Sequence, residues 1–415
     1  MVRAKWFWTL LPANIANGGI SVLIPLYILS PYINGNVIDV ALVVSAGNLA
    51  MIPASLFWGF MIDLFGKRKP FILISFAGRC LLSFSMYFTN NLALIMILYF
   101  LFMFVTVASV PSLNLLLMET RTKNVWGKAY IHLLVIAQIG VSAGSFIGIF
   151  WSISYSLKDY FLFLSTVSFP SIILAFFWIK EPKITLERRV MVKIAPSLIH
   201  RIHINPLFFL HLPKLSEFQR IYRILKFGIT HNLPLIYISA FLFFVANGIF
   251  FATFTPFLKS KGLNDSIVFG LYALLSIGNT FTPLIGTKYT GSDDEDKAVI
   301  MGIGGRTILS LIMFLVALTG FAVVLVTIVV FPLWSVTYGL FFGPIATLLL
   351  KNLPPSKKGE LLGLFSAVIG AGLFLGSLVS GYMVVLINYS LTFLIASSIF
   401  GIAAILMHRF KYAIH

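Results

Sequence analysis

The chain is 415 residues long, 59% hydrophobic and only 10% charged, with a mean hydropathy of +0.98. Soluble proteins carry about a quarter charged residues, so the composition excludes a soluble enzyme and describes a polytopic membrane protein. The formal net charge of +17 is no nucleic-acid footprint, because the basic residues lie in segments between apolar runs and not on a soluble basic face.

An apolar run of about 20 residues, helical at 1.5 Å per residue, crosses a hydrocarbon core of about 30 Å. Such runs predict helices over 6–29, 38–60, 71–89, 92–118, 128–151, 160–179, 233–258, 267–286, 298–318, 321–350, 361–386 and 389–407, numbered 1 to 12 below. The expected fold is an all-α membrane protein with twelve transmembrane helices. Arg3 and Lys5 ahead of Trp6 give helix 1 the look of a signal peptide, but the run to Leu29 is too long and no small-residue cleavage site follows it.

Helix 2 leads into Gly59–Phe71, which reads Gly-Phe-Met-Ile-Asp-Leu-Phe-Gly-Lys-Arg-Lys-Pro-Phe, a charged interruption between two membrane runs. Gly59, Asp63, Gly66, Lys67 and Arg68 match a Gly-x-Leu-Ala-Asp-Arg-x-Gly-Arg/Lys-Arg/Lys loop pattern between helices 2 and 3, and on these residues the chain resembles the major facilitator superfamily. Met61 is an approximate match, and Leu64 stands where that family has a basic residue. The resemblance implies two parallel six-helix bundles that rock around a central site. It also implies a latch on the inner side, in which Asp63 meets Arg121, after helix 4, and the start of helix 11 near Leu361. A carboxylate at the end of helix 2 is disfavoured by the helix dipole, so Asp63 needs such a partner.

Helix 3 carries Arg79 and the single cysteine, Cys80, which leaves no intrachain disulfide to form. Helix 5 carries Gln138 and a Gly140-xxx-Gly144-xxx-Gly148 ladder, a spacing that lets backbones approach closely. The resemblance implies that helices 5 and 11 face each other across the two halves.

The longest polar stretch, Lys180–Asn232, divides the chain into bundles at 1–180 and 232–415 around a basic cytoplasmic loop at 181–231. Leu215, Phe218, Tyr222 and Leu225 share a helical face there, with Arg220, Arg223 and Lys226 elsewhere, which predicts a segment lying on anionic inner-leaflet lipid. His200, His203, His211 and His231 lack a metal-site spacing. No metal or cofactor is expected.

The second half repeats the first. Ala16-Asn17-Gly18 recurs as Ala246-Asn247-Gly248, Ser45-x-Gly47-Asn48 as Ser276-x-Gly278-Asn279, and Gly78-Arg79-x-x-Leu82-Ser83 as Gly305-Arg306-x-x-Leu309-Ser310. Pro111 pairs with Pro344, Gly140 with Gly372 and Gly144 with Gly376, all in chain order at nearly constant separation. That regularity marks a duplicated six-helix unit, hence two pseudo-symmetric bundles. The loop motif is not duplicated: its second copy reads Asp293-Asp294-Glu295-Asp296, so the latch is expected on one side only.

With a cytoplasmic N-terminus, the outer segments hold only Lys158, Lys259 and Lys261 of the 30 Lys and Arg, and Arg79 and Arg306 are intramembrane. The positive-inside rule then places both termini in the cytoplasm. Trp6, Trp8, Trp58, Trp126, Trp151 and Trp178 fall near helix ends, where indoles suit the interface, whereas Trp334 falls within helix 10 between Pro332 and Pro344.

Asn17, Asn48, Arg79, Gln138, Asn247, Asn279 and Arg306 form a polar belt at mid-depth. The resemblance makes helices 1, 4, 7 and 10 the walls of the central cavity, and so favours Asn17, Asn247, Trp334 and Tyr338 as substrate contacts. Interhelical bonding is the other reading of the amides. Arg79 and Arg306 have no acid at their depth, since all 13 Asp and Glu lie in loops or at helix ends. Either an anionic substrate is the missing counter-charge, matched by the guanidinium fork, or both side chains are structural, bonding carbonyls or reaching toward water.

The function expected is transport of a small molecule, with an anion favoured, by alternating access. An exporter of lipophilic compounds, suggested by the 41 phenylalanines, and a non-transporting receptor or scaffold acting through 181–231 are the alternatives. No nucleophile, metal constellation or phosphate loop marks an enzyme. The absence of a mid-membrane carboxylate favours a uniporter or exchanger over proton coupling, and a plasma-membrane monomer is expected.

Overall fold

The computed structural model describes residues 5–120, 126–181, 233–289, 294–352 and 358–414, leaving out among others the side chains of Asp63 and of 358–363. Among the described residues, twelve helices are long and apolar enough to cross a membrane. In chain order they are Leu10–Leu29 behind a short 3-10 turn, Val37–Phe65, Lys69–Tyr87, Leu92–Val107 continued by Ser109–Thr120, Trp126–Ser154, Leu157–Trp178, Leu233–Ser260, Asp265–Thr287, Glu295–Thr319, Val323–Asn352, Lys358–Ile387 and Tyr389–Ile414. No strand occurs among the described residues. Helices joined by short connections reverse direction, and helix 5 runs antiparallel to helix 8, so the ends of helices 2, 4, 8 and 10 and the starts of helices 3, 5 and 9 share the face that carries the turn after helix 2.

Helix 2 starts on a capping box. The Asn36 side chain accepts the N–H groups of Ile38 and Asp39, and the Asp39 carboxylate accepts the Asn36 N–H. It continues past residue 60 to Phe65, so Gly59 lies inside the helix and the short interruption expected between 60 and 71 shrinks to a turn at Gly66. Gly66 ends the helix at φ 61°, in the left-handed region that costs glycine nothing, and its N–H donates to Ile62 O at 3.0 Å.

Helix 4, expected to be continuous, breaks at Ala108. Pro111 has no N–H to give Val107 O, and its ring crowds that carbonyl. The chain tightens there, Ala108 N–H bonding Val105 O at 3.1 Å.

The glycine ladders work within each half rather than between helices 5 and 11. Gly140 and Gly144 press on the helix 1 backbone at Leu11 and Ile15, and Gly372 and Gly376 on helix 7 at Phe241 and Val245. A Cβ at Gly144 would collide with a carbonyl that cannot retreat. Across the halves, helix 5 meets helix 8 through Gly148 and Phe269, and helix 11 meets helix 2 through Gly381 and Ala41. Asn48 adds a bond to Ser377 at 3.2 Å, and Ser142 one to Thr280 at 3.4 Å. Trp58, expected at the interface, is 8% exposed and donates its indole N–H to Phe104 O at 2.8 Å, so it packs inside the first half.

At the turn face each half is clasped by one ion pair. Arg68, at the start of helix 3, meets Glu119, at the end of helix 4, at 3.0 Å. Glu295, at the start of helix 9, meets Lys351, at the end of helix 10, at 2.8 Å. The pairs occupy corresponding positions with the charges exchanged, so the acidic run of the second half supplies a clasp of its own, of opposite polarity. An anion at a helix N-terminus and a cation at a C-terminus suit the helix dipoles; the second half obeys this at both ends and the first at neither. The first half compensates through Glu181, whose carboxylate accepts the N–H groups of Arg68 at 2.9 Å and Lys69 at 2.6 Å.

Candidate functional site

Arg79 and Arg306 are 3% and 2% exposed. Each docks on a carbonyl of the following helix and on the hydroxyl three residues further along. Arg79 Nη2 donates to Thr106 O at 3.3 Å and Ser109 Oγ at 3.0 Å, and that hydroxyl itself donates to Thr106 O at 3.0 Å. In the second half Arg306 Nη2 donates to Trp334 O at 3.1 Å and Nε to Thr337 Oγ1 at 2.9 Å, while Thr337 Oγ1 donates to Trp334 O at 2.7 Å. A carbonyl with two lone pairs can serve both donors. The cradle is therefore duplicated, part for part.

The third contact and the surroundings differ. Arg79 Nη1 donates to the backbone oxygen of Ala13 at 3.4 Å, and the nearest ring, Phe76, is 5.7 Å away. Arg306 Nη1 donates to the side-chain oxygen of Asn247, which is itself fixed by a bond from its Nδ2 to Phe243 O at 2.8 Å. The Arg306 guanidinium lies 4.4 Å over Trp334, with Phe243 at 5.4 Å and Tyr338 at 5.6 Å. Phe250 also stacks on Trp334, at 4.1 Å. A cation held over aromatic faces is stabilised electrostatically without being neutralised.

Beside Arg306 lies a cavity of about 290 Å³. Its polar lining is Asn247, Asn279, Arg306, Trp334 and Tyr338, and its apolar lining Phe244, Phe251, Leu275 and Leu373. Among the described residues no acid lines it, and every hydrogen-bond partner of Arg306 is neutral. The Trp334 indole N–H is buried without an acceptor, and the Asn279 amide has no side-chain partner among the described residues. The cavity thus presents one positive charge with neutral partners, the Asn279 amide and aromatic walls, which suits binding, and its described lining offers no nucleophile or general base.

Four residues expected from the sequence, Asn247, Arg306, Trp334 and Tyr338, come together here. Asn17, Arg79 and Gln138 do not line this cavity. Asn17, the counterpart of Asn247, is half-buried and makes no side-chain hydrogen bond among the described residues. Gln138 is half-buried, its backbone oxygen accepting from Ser142 Oγ at 2.9 Å. Asn279, read as interhelical, and Thr337 were not singled out as site residues; the signal for Thr337 was a hydroxyl three residues after Trp334, matching Thr106 and Ser109. Of the expected latch, Arg121 and the Asp63 side chain lie outside the described residues, as do the side chains near Leu361. Gly59 is within helix 2, Gly66 forms the turn, Lys67 is exposed and Arg68 pairs with Glu119.

A family model described as Major Facilitator Superfamily matches residues 7–367. No curated protein matches the sequence. Among solved structures, the chain is similar to the xylose transporter XylE from E. coli, at 13% identity over 98% of both chains with a TM-score of 0.71. It is similar to the nucleoside transporter NupG at 12% identity over 98% of both chains, TM-score 0.75. The human organic anion transporter MFSD10 (TETRAN) aligns at 14% identity over 97% of this chain and 98% of the other, TM-score 0.64. At such identities the likeness is one of fold.

Proposed function

The chain belongs to the major facilitator superfamily, and from that premise we propose that it carries a small organic anion across the membrane by alternating access, with Arg306 as the cation that meets it. Membership makes it a multi-pass transporter rather than an enzyme. The observation that supports an anion is a guanidinium, 2% exposed, that lines a cavity and has only neutral partners. An arginine at mid-membrane costs about 2.5–3.5 kcal/mol on insertion scales, and an anion in the cavity offsets that cost by pairing with it. Arg79 bears the same cost without lining this cavity. Its role in this reading is structural, tying helix 3 to helices 1 and 4 through carbonyls.

Asn247 holds Arg306 in place, Tyr338 and Asn279 face the substrate, and Trp334 is the platform for the guanidinium. Every described Asp and Glu within a membrane helix lies in its first or last turn, so no mid-membrane carboxylate is placed to carry a proton. Facilitated diffusion or anion exchange follows. The distribution of Lys and Arg supports cytoplasmic termini, with the 181–231 linker against anionic lipid, and we place the protein as a monomer in the plasma membrane. Asp63 and Arg121 remain the proposed latch at the turn face.

The test is counterflow of labelled organic anions into liposomes containing the purified protein. Arg306→Gln should abolish flux per folded molecule, and unchanged flux in that variant rejects the reading. Shortening the linker within 190–225 should leave flux intact; its loss would favour the scaffold alternative.

A further inference from the structure

The cavity also discriminates among anions, and this step rests on the reading of Arg306 as the substrate's cation. We infer that the substrate is a small aromatic monocarboxylate, a single flat ring carrying one carboxylate. Charge sets the first limit. The lining holds one cation and no other charged group, and the guanidinium is almost wholly removed from water. A monoanion leaves the site neutral; a dianion leaves a net negative charge in a medium where an unpaired charge is costly.

Donor count sets the second limit. A guanidinium has five N–H groups, and those of Arg306 already serve Thr337, Asn247 and Trp334. One N–H is left on each terminal nitrogen, the number a single carboxylate accepts in a two-point pairing. Because the other donors are tied, the guanidinium cannot swing to follow a larger or more highly charged head.

The walls set the third. Trp334 is engaged by the Arg306 guanidinium at 4.4 Å and by Phe250 at 4.1 Å and is 1% exposed, so it offers little stacking surface. Phe244, Phe251 and Tyr338 supply the remaining aromatic surface around the cavity, and aromatic pairs gain from offset-stacked or edge-on contact beyond their buried area. A volume of about 290 Å³ falls at the low end of ligand pockets, which run from about 300 to 1,000 Å³. That volume is matched by a single ring.

The test uses the full-length purified protein and the ligand-induced rise in melting temperature, which reports affinity for the folded state. Four probes differ by one feature each: phenylacetate, cyclohexylacetate without the flat ring, phenylacetamide without the charge, and phenylmalonate with a second carboxylate. Phenylacetate should bind at least tenfold more tightly than each of the others. Arg306→Lys, which gives up cradle bonds and so melts somewhat lower, should still unfold cooperatively and bind it at least tenfold more weakly, and Phe251→Leu should narrow the gap to cyclohexylacetate. Equal binding of cyclohexylacetate, or tighter binding of phenylmalonate, overturns the aromatic monocarboxylate while leaving an anion carrier standing. So does a silent phenylacetate beside an Arg306-dependent shift with lactate or succinate. Equal binding of phenylacetamide, or no shift with any anion, overturns both.

Discussion

In the first half Arg79 reaches from helix 3 to a carbonyl and hydroxyl on helix 4, and in the second Arg306 reaches from helix 9 to the same pair of groups on helix 10. What separates them is the third contact and the neighbour above the guanidinium. Arg79 finishes on a backbone oxygen, whereas Arg306 finishes on the Asn247 side chain and lies over Trp334 beside a cavity. A backbone carbonyl is present whatever the sequence, so the first cradle depends little on side-chain choice. The second is built from side chains and can be shaped for a ligand. Duplication thus kept the scaffold in both halves and left one copy open to specialise.

The comparison breaks most directly at the arginines. Arg306→Gln should lower transport efficiency at least 100-fold, because two charge-assisted bonds worth about 1.5–3 kcal/mol each are lost. Arg79→Gln should cost ~2–4 kcal/mol of stability by stranding buried carbonyls, and leave transport per folded molecule within twofold. Flux assays normalised to folded protein, with melting curves, separate the two. The amides come next. Asn247→Ala frees one terminal nitrogen of Arg306 and should reduce flux about tenfold, equivalent to about 1.4 kcal/mol, while Asn17→Ala should change it less than twofold.

The clasps sharpen the comparison at smaller amplitude. Lys351→Ala leaves Glu295, 3% exposed, without that partner and should cost ~1–3 kcal/mol, read as a lower melting temperature. The exchange Glu295→Lys with Lys351→Glu should recover only part of this. It reproduces the first half's polarity without a counterpart to Glu181 at the helix start. Last, neither half has a described carboxylate at mid-membrane, so collapsing a pH gradient with a protonophore should leave flux unchanged. A dependence on that gradient would show that coupling runs through groups outside either cradle.

Much of this was legible in the sequence. Apolar length announced twelve helices, and the paired Gly-Arg and Ala-Asn-Gly segments announced the duplication. The same pairing misled on Asn17 and Arg79, which looked equivalent to Asn247 and Arg306. Repeat position does not say whether a side chain finds its neighbour, and Asn17 makes no hydrogen bond to Arg79 of the kind that Asn247 makes to Arg306. The break at Ala108 was hidden because an apolar run reads the same through a proline-induced interruption. The exchanged clasp was hidden because Glu295 resembled a decayed motif until its partner, Lys351, was adjacent in space. The glycine ladders gave the spacing for close approach but could not say which helix approached.

The central claim is that only one of two equivalent arginines meets the substrate. Melting curves of the wild-type protein, Arg79→Lys and Arg306→Lys, each with and without phenylacetate, test it most directly. The account predicts that both variants melt lower, because each gives up bonds to its cradle, but that Arg79→Lys keeps the full ligand-induced shift while Arg306→Lys loses it. The reverse pattern, with the shift lost in Arg79→Lys and kept in Arg306→Lys, would contradict it.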